Sequence, residues 1–216
     1  MIPILLSGKA GREGFSFDEF DRDFVAICKS HQKEGRALAF AFILYDFEHP
    51  EILKVLRDGD YWNALDKISG NSLTVFSFHL AKSGRRERGS PPMGARRDSG
   101  AFSASRGFIS RRFGIELPDA KPLILFFQVT GEQISDPYAV EIRSETVEQA
   151  FLEIRSILSD AVESVERVLP ENRGNTTEIF NLIVERLWLR KATLKIKKAL
   201  GVAGSVQELG RKLKGF

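Results

Sequence analysis

Apolar and polar positions follow two different periods along this chain, and each change of period marks an element. Pro3 to Leu6 is a short apolar run closed by Gly8 and Gly11, which reads as a brief strand. Ser16 and Glu19 have capping-box spacing, and Phe15 and Phe20 occupy staple positions. Together they predict a helix from Phe17 with Phe20, Phe24, Ile27 and His31 on one face, stopped by Gly35. Ala37 to Tyr45 is apolar without a break, the pattern of a strand covered on both faces. Pro50 suits a first helical turn, and Ile52 and Leu56 lie four apart. Asp58-Gly59-Asp60 then interrupts before Trp62, Leu65 and Ile68 resume the pattern, so two helical pieces are expected. Leu73 to Phe78 alternates and is β-prone, which predicts the next strand.

From Ser83 to Gly107 the chain is mainly Gly, Ser, Pro and Arg, with Met93 and Phe102 as its large apolar residues. Such a stretch buries too little to offset its ordering entropy, so a mobile basic loop is expected over 83–107. Phe108 to Phe113 permits a short helix. Pro122 to Val129 reads as a buried strand and Tyr138 to Arg143 as its hairpin partner after Asp136-Pro137. Thr146 and Gln149 can cap a helix carrying Val147, Phe151, Ile154, Leu158, Ala161, Val165 and Val168, ended by Pro170. Beyond the linker at 172–175, Thr176 or Thr177 can cap a helix to about Leu200. Gly201 interrupts it, and Ser205 with Glu208 starts a short terminal helix. The pattern divides the chain into a domain over 1–172 and a helical extension over 173–216.

Composition narrows the class. With 216 residues, 43% hydrophobic and 28% charged, the chain can build a sizeable core and is too apolar for disorder. No apolar run approaches the ~20 residues of a membrane span, and Met1 to Leu6 is too short for a signal sequence. A single cysteine, Cys28, allows neither an internal disulfide nor a thiolate cluster, and it reads as a small core residue. His31, His49 and His79 stand apart without metal-ligand spacing. No metal or cofactor is expected, and a reducing, cytoplasmic location is.

Charge changes the picture more. Residues 82–112 hold nine Lys or Arg against two acids, and 186–216 hold nine against one. Within a formal net charge of +3, that leaves the other 154 residues at −12: an acidic body with two basic segments. Those segments either fold back on the body or meet a polyanion.

The order strand, helix, strand, helix, strand, helix, strand, strand, helix, together with Phe113-Gly114-Ile115 and Lys121-Pro122-Leu123-Ile124-Leu125-Phe126, resembles the thioredoxin-like superfold. The resemblance covers about three quarters of the chain. It implies an α/β three-layer sandwich, a mixed sheet with helices on both faces, and a cis proline before a buried strand, with Pro122 and Pro118 both candidates. Where that family carries Cys-x-x-Cys, this chain reads Glu48-His49-Pro50-Glu51. Dithiol exchange needs an attacking and a resolving sulfur, so that chemistry is excluded.

Glu48, His49 and Glu51 could form a substitute catalytic group at a strand's carboxyl end, where α/β folds place ligands. Acids in a first helical turn also complement the helix dipole, and that simpler role is favoured. The expectation is therefore a non-catalytic interaction module that meets a partner protein or its own copy through residues 176–200. Ile183, Leu187 and Leu194 form one apolar ridge there, Leu182, Leu189 and Ile196 a second, and Trp188 lies alongside. The alternative is non-specific nucleic-acid binding through Arg85, Arg86, Arg96, Arg97, Lys195 and Lys198.

Overall fold

The computed structural model describes residues 1–6, 17–47, 49–80, 94–116, 121–135 and 137–199, with backbone alone at 5–6, 17–18, 80, 94–102 and 194–199. Its elements run β1 (Ile2–Leu6), α1 (Phe17–Lys33), β2 (Ala39–Leu44), α2 (Pro50–Arg57), α3 (Gly59–Ser69), β3 (Leu73–Leu80), α4 (Gly94–Phe113), β4 (Leu123–Phe127), β5 (Val129–Thr130), β6 (Gln133–Ile134), β7 (Tyr138–Glu141), α5 (Val147–Glu166) and α6 (Thr176–Ala199). Five strands form one mixed open sheet in the order β1-β3-β2-β4-β7. β1, β3 and β2 are parallel, and β4 and β7 are added antiparallel. The chain is an α/β protein.

Register explains the two faces of the sheet. Phe42 is opposite Phe76, and Phe40 is opposite Phe127, so the alternation places Phe40, Phe42, Phe76, Phe78 and Phe127 on one side. Phe20 and Phe24 from α1 and Phe108 and Phe113 from α4 close over them, with ring centroids 4.9 Å apart for Phe113 and Phe127 and 5.4 Å for Phe20 and Phe108. These tilted and edge-on contacts add to area burial and give this side an almost wholly aromatic core. The opposite side carries Ala39 and Ala41 of β2, and α6 touches β2. The same side presents His79 to Trp62 of α3, and Tyr61 stacks on Phe151 of α5 at 4.6 Å.

Local chemistry sets the element ends. Asp58 terminates α2 and caps α3, its carboxylate accepting from the N–H groups of Asp60 and Tyr61, which produces the two pieces expected. Thr146 caps α5 through the Gln149 N–H at 3.2 Å. Gly131, at φ +62°, makes the tight β5–β6 turn that a side chain would strain.

Several expectations need correction. The segment 83–107 is not wholly a loop, because α4 begins at Gly94; residues 81–93 lie outside the described residues. Averaged composition hid the anchor, since Ser105, Phe108, Ile109 and Phe113 recur at helical spacing and are all buried. A helix pinned at one end propagates cheaply through Ala, Ser and Arg. The cap of α6 is Asn175 rather than Thr176 or Thr177: its Oδ1 accepts from the Glu178 N–H at 3.1 Å. In α1 the inward line is Phe20, Phe24 and Cys28, while Ile27 and His31 are half-buried. There is no cis peptide bond among the described residues, so Pro122 is trans, and Pro118 lies outside them. β4 ends at Phe127 because Gln128 turns away, its side chain donating to the Leu38 carbonyl at 2.5 Å and its N–H to Ser135 Oγ at 2.8 Å.

Candidate functional site

The carboxyl end of β2 delivers Tyr45, Asp46 and Phe47 to the start of α2. Tyr45 and Phe47 are buried, and the Tyr45 hydroxyl donates to the Phe78 carbonyl at 3.2 Å. His49 precedes α2 and Glu51 sits in its first turn; Glu48 lies outside the described residues. His49 Nδ1 is 3.0 Å from Glu51 Oε2, yet it makes no hydrogen bond, because the approach is badly angled. The two side chains lie side by side at the start of α2 without a hydrogen bond between them, and an imidazole without that orienting bond is not a prepared base.

One arrangement has the right distance for a nucleophile and base, and sequence reading missed it. Ser77 Oγ and His79 Nε2 are 2.7 Å apart on the same side of β3. The signal was present in the strict alternation of strand side chains, which puts residues two apart on one face. Both residues are buried, and the ring of Trp62 stands edge-on to His79 at 5.6 Å. Burial, with Arg57 nearby, lowers the His79 pKa to about 4, which keeps the ring neutral. Both groups are buried, and each gives the other a hydrogen-bond partner.

The depression on α1, about 370 Å³ in volume, is lined by Ala26, Lys29, Ser30, Lys33 and Glu132. Lys29 and Glu132 pair across it. No group of three or more His, Cys, Asp or Glu could hold a metal ion, among the described residues. Among them, too, no helix is long and apolar enough to cross a membrane.

The C-terminal helix is where structure and expectation differ most usefully. Ile179, Ile183 and Leu187 are buried against α5 and the sheet, so Ile183 and Leu187 belong to the chain's own core and offer nothing to a partner. Leu182 is half-buried, whereas Leu189 and Trp188 are 47% and 59% exposed on the outer side. Leu194, Lys195 and Lys198 lie on α6, but their side chains are outside the described residues.

Part of the basic charge folds back on the body. Arg186 and Arg190 meet Asp160 at 3.1 and 2.7 Å, and Arg111 and Arg112 meet Asp21 at 3.2 and 2.6 Å. Arg96 and Arg97 lie on the backbone of α4, with side chains outside the described residues, and Arg85 and Arg86 are outside altogether.

Comparison with known proteins identifies no relative: no family model, no curated protein and no solved structure matches this chain.

Proposed function

We propose that this chain is a redox-inactive, thioredoxin-like interaction module that docks a partner protein or a second copy through the outer side of α6. The observation that carries the reading is the exposure of Trp188 and Leu189 on a helix whose inner side is completely buried. A helix needs one apolar stripe to pack on its own domain, and a second, outward one is free for another surface. Indole and leucine are also suited to an interface centre, where a few large side chains supply most of the binding. The thioredoxin-like part of the proposal is supported by three parallel strands extended by an antiparallel pair, and it is weakened by the trans bond at Pro122. Having one cysteine, buried Cys28, removes disulfide exchange from the functions such a module could carry.

Polyanion binding is the competing account. It has fewer cations to work with than the sequence suggests, because Arg111, Arg112, Arg186 and Arg190 already face carboxylates.

Light scattering on the full chain, at low and high salt, separates the two. A Trp188→Ser, Leu189→Ser variant is expected to lower the mass in solution at both salt concentrations while leaving the unfolding midpoint in place. Loss of association with salt alone, at unchanged mass in the variant, would transfer the function to the basic segments.

A further inference from the structure

We propose that the outer edge of β7 pairs antiparallel with β7 of a second copy of this chain, about a two-fold axis at Val140. This pairing is separate from docking through α6 and stands without it. β7 ends the sheet and, among the described residues, is bonded to β4 alone, with Ile124 opposite Val140 and Phe126 opposite Tyr138. Main-chain groups along a strand point by turns to its two sides. The Ile142 N–H donates to the Pro122 carbonyl at 2.9 Å, which turns Tyr138, Val140 and Ile142 toward β4 and Ala139, Glu141 and Arg143 away from it. Arg143 agrees with that phase, because its N–H donates to Glu153 Oε2 of α5 at 2.9 Å. Ala139 and Glu141 each present an N–H and a carbonyl that meet no partner among the described residues.

An open edge is a template for any extended chain, and what selects a second copy is the fit of this edge to itself. Its window is closed at one end by Pro137, which has no N–H to give, and at the other by Glu153, which holds the Arg143 N–H. An axis centred on Ala139 would set Glu141 against Pro137 of the partner subunit and lose a donor on each copy. Centred on Glu141, it would set two carboxylates face to face and call on the Arg143 N–H. Centred on Val140, it sets Ala139 against the partner's Glu141, and the reverse, so every open N–H finds an open carbonyl. The same register lays half-buried Val140 on its own copy and half-buried Tyr138 on the partner's Ile142, on the side of the sheet that carries Ala41 and Phe126. Charge allows it. Glu141 already meets Arg143 at 2.8 Å and Lys121 at 3.8 Å on its own chain, so the carboxylates that face each other diagonally across the axis are countered at home.

In that register Val140 meets its own copy as a non-hydrogen-bonded pair, with Cα atoms about 4.5 Å apart, within the span of a disulfide. The test uses the full chain carrying Cys28→Ala, with one new thiol at a time, oxidised by diamide. Val140→Cys should give a covalent dimer on the order of tenfold faster than Ala139→Cys, whose two thiols lie diagonally apart. Charge reads the same register without a cross-link. Ala139→Glu sets a carboxylate against the partner's Glu141 on both halves and should weaken association about fivefold in sedimentation, while Ala139→Lys should tighten it by about as much. Equal cross-linking at 139 and 140 overturns the proposal, and so does an Ala139→Lys chain that associates no better than Ala139→Glu. A chain that stays a monomer throughout overturns it too, and gives the edge to an extended segment of another protein. The Val140 cross-link should survive Trp188→Ser, Leu189→Ser, and its loss there would overturn the pairing. If it survives while those serines leave the mass in solution unchanged, docking through α6 fails and the β7 pairing stands.

Discussion

Arg190 Nη1 lies 2.7 Å from Asp160 Oδ2 across the seam between α6 and α5, and Arg186 Nε reaches the other oxygen of the same carboxylate at 3.1 Å. One carboxylate thus holds two guanidiniums one helical turn apart. That contact is consistent with the rotation of α6 that turns Ile183 inward and Trp188 outward. Ser156 accepts a further bond from Arg190. Asp160→Asn keeps the shape and removes the charge. A loss of about 1–2 kcal/mol is expected in urea unfolding, between an exposed pair and a buried one, since the partners are only partly shielded. An unchanged midpoint would mean that apolar packing alone orients the helix.

The same orientation predicts opposite results at neighbouring apolar positions. Ile183→Ala should cost about 2–5 kcal/mol, whereas Leu189→Ala should stay within about 0.5 kcal/mol. Equal effects in denaturant unfolding would contradict the placement of the two ridges.

Cys28 is fully buried, and burial alone raises its thiol pKa. With the thiolate suppressed and no access from solvent, an aromatic disulfide reagent should leave the folded protein unmodified at neutral pH and react stoichiometrically after unfolding. Fast labelling of the native chain would place Cys28 at the surface. Cys28→Ala should be tolerated better than Cys28→Ser, which puts a hydroxyl into the apolar core.

Most of the sheet was legible because its strands are apolar runs between turn residues, and the split between α2 and α3 was legible at Asp58-Gly59-Asp60. What escaped was whatever depends on distant partners. The early start of α4 depends on anchoring by Phe108 to rings on α1 and the sheet, and no local composition records that. In α6 two ridges of similar apolar character leave rotation undetermined in the sequence, and the side that faces inward depends on distant partners, the apolar surface of α5 and the sheet and Asp160 on α5. The Ser77–His79 pair was hidden for a different reason: its two residues are ordinary alone and become a unit only when the pleat puts them on one face.

That pair also gives the protein a defined response to acid. In the folded chain His79 has a pKa of about 4 against an ordinary 6.5, because burial and the nearby Arg57 oppose its charged form. The unfolded chain therefore binds the proton more readily. Stability from this group is complete above pH 6.5, is lost as pH falls from 6.5 to about 4, and changes no further below that. The loss has a ceiling on the order of 3 kcal/mol, at 1.36 kcal/mol for each pKa step. Protonation also makes both ring nitrogens donors, so Ser77 can only accept from Nε2, while the positive ring faces Arg57 and the edge of Trp62. His79→Gln retains a polar group for Ser77 and does not titrate. Urea unfolding of both proteins between pH 7.5 and pH 4.5 should give wild-type stability falling more steeply, with the difference confined to the interval below about 6.5. Parallel curves across that range would show that His79 takes up its proton without cost, and that the seal formed by α3 over β3 is open to water.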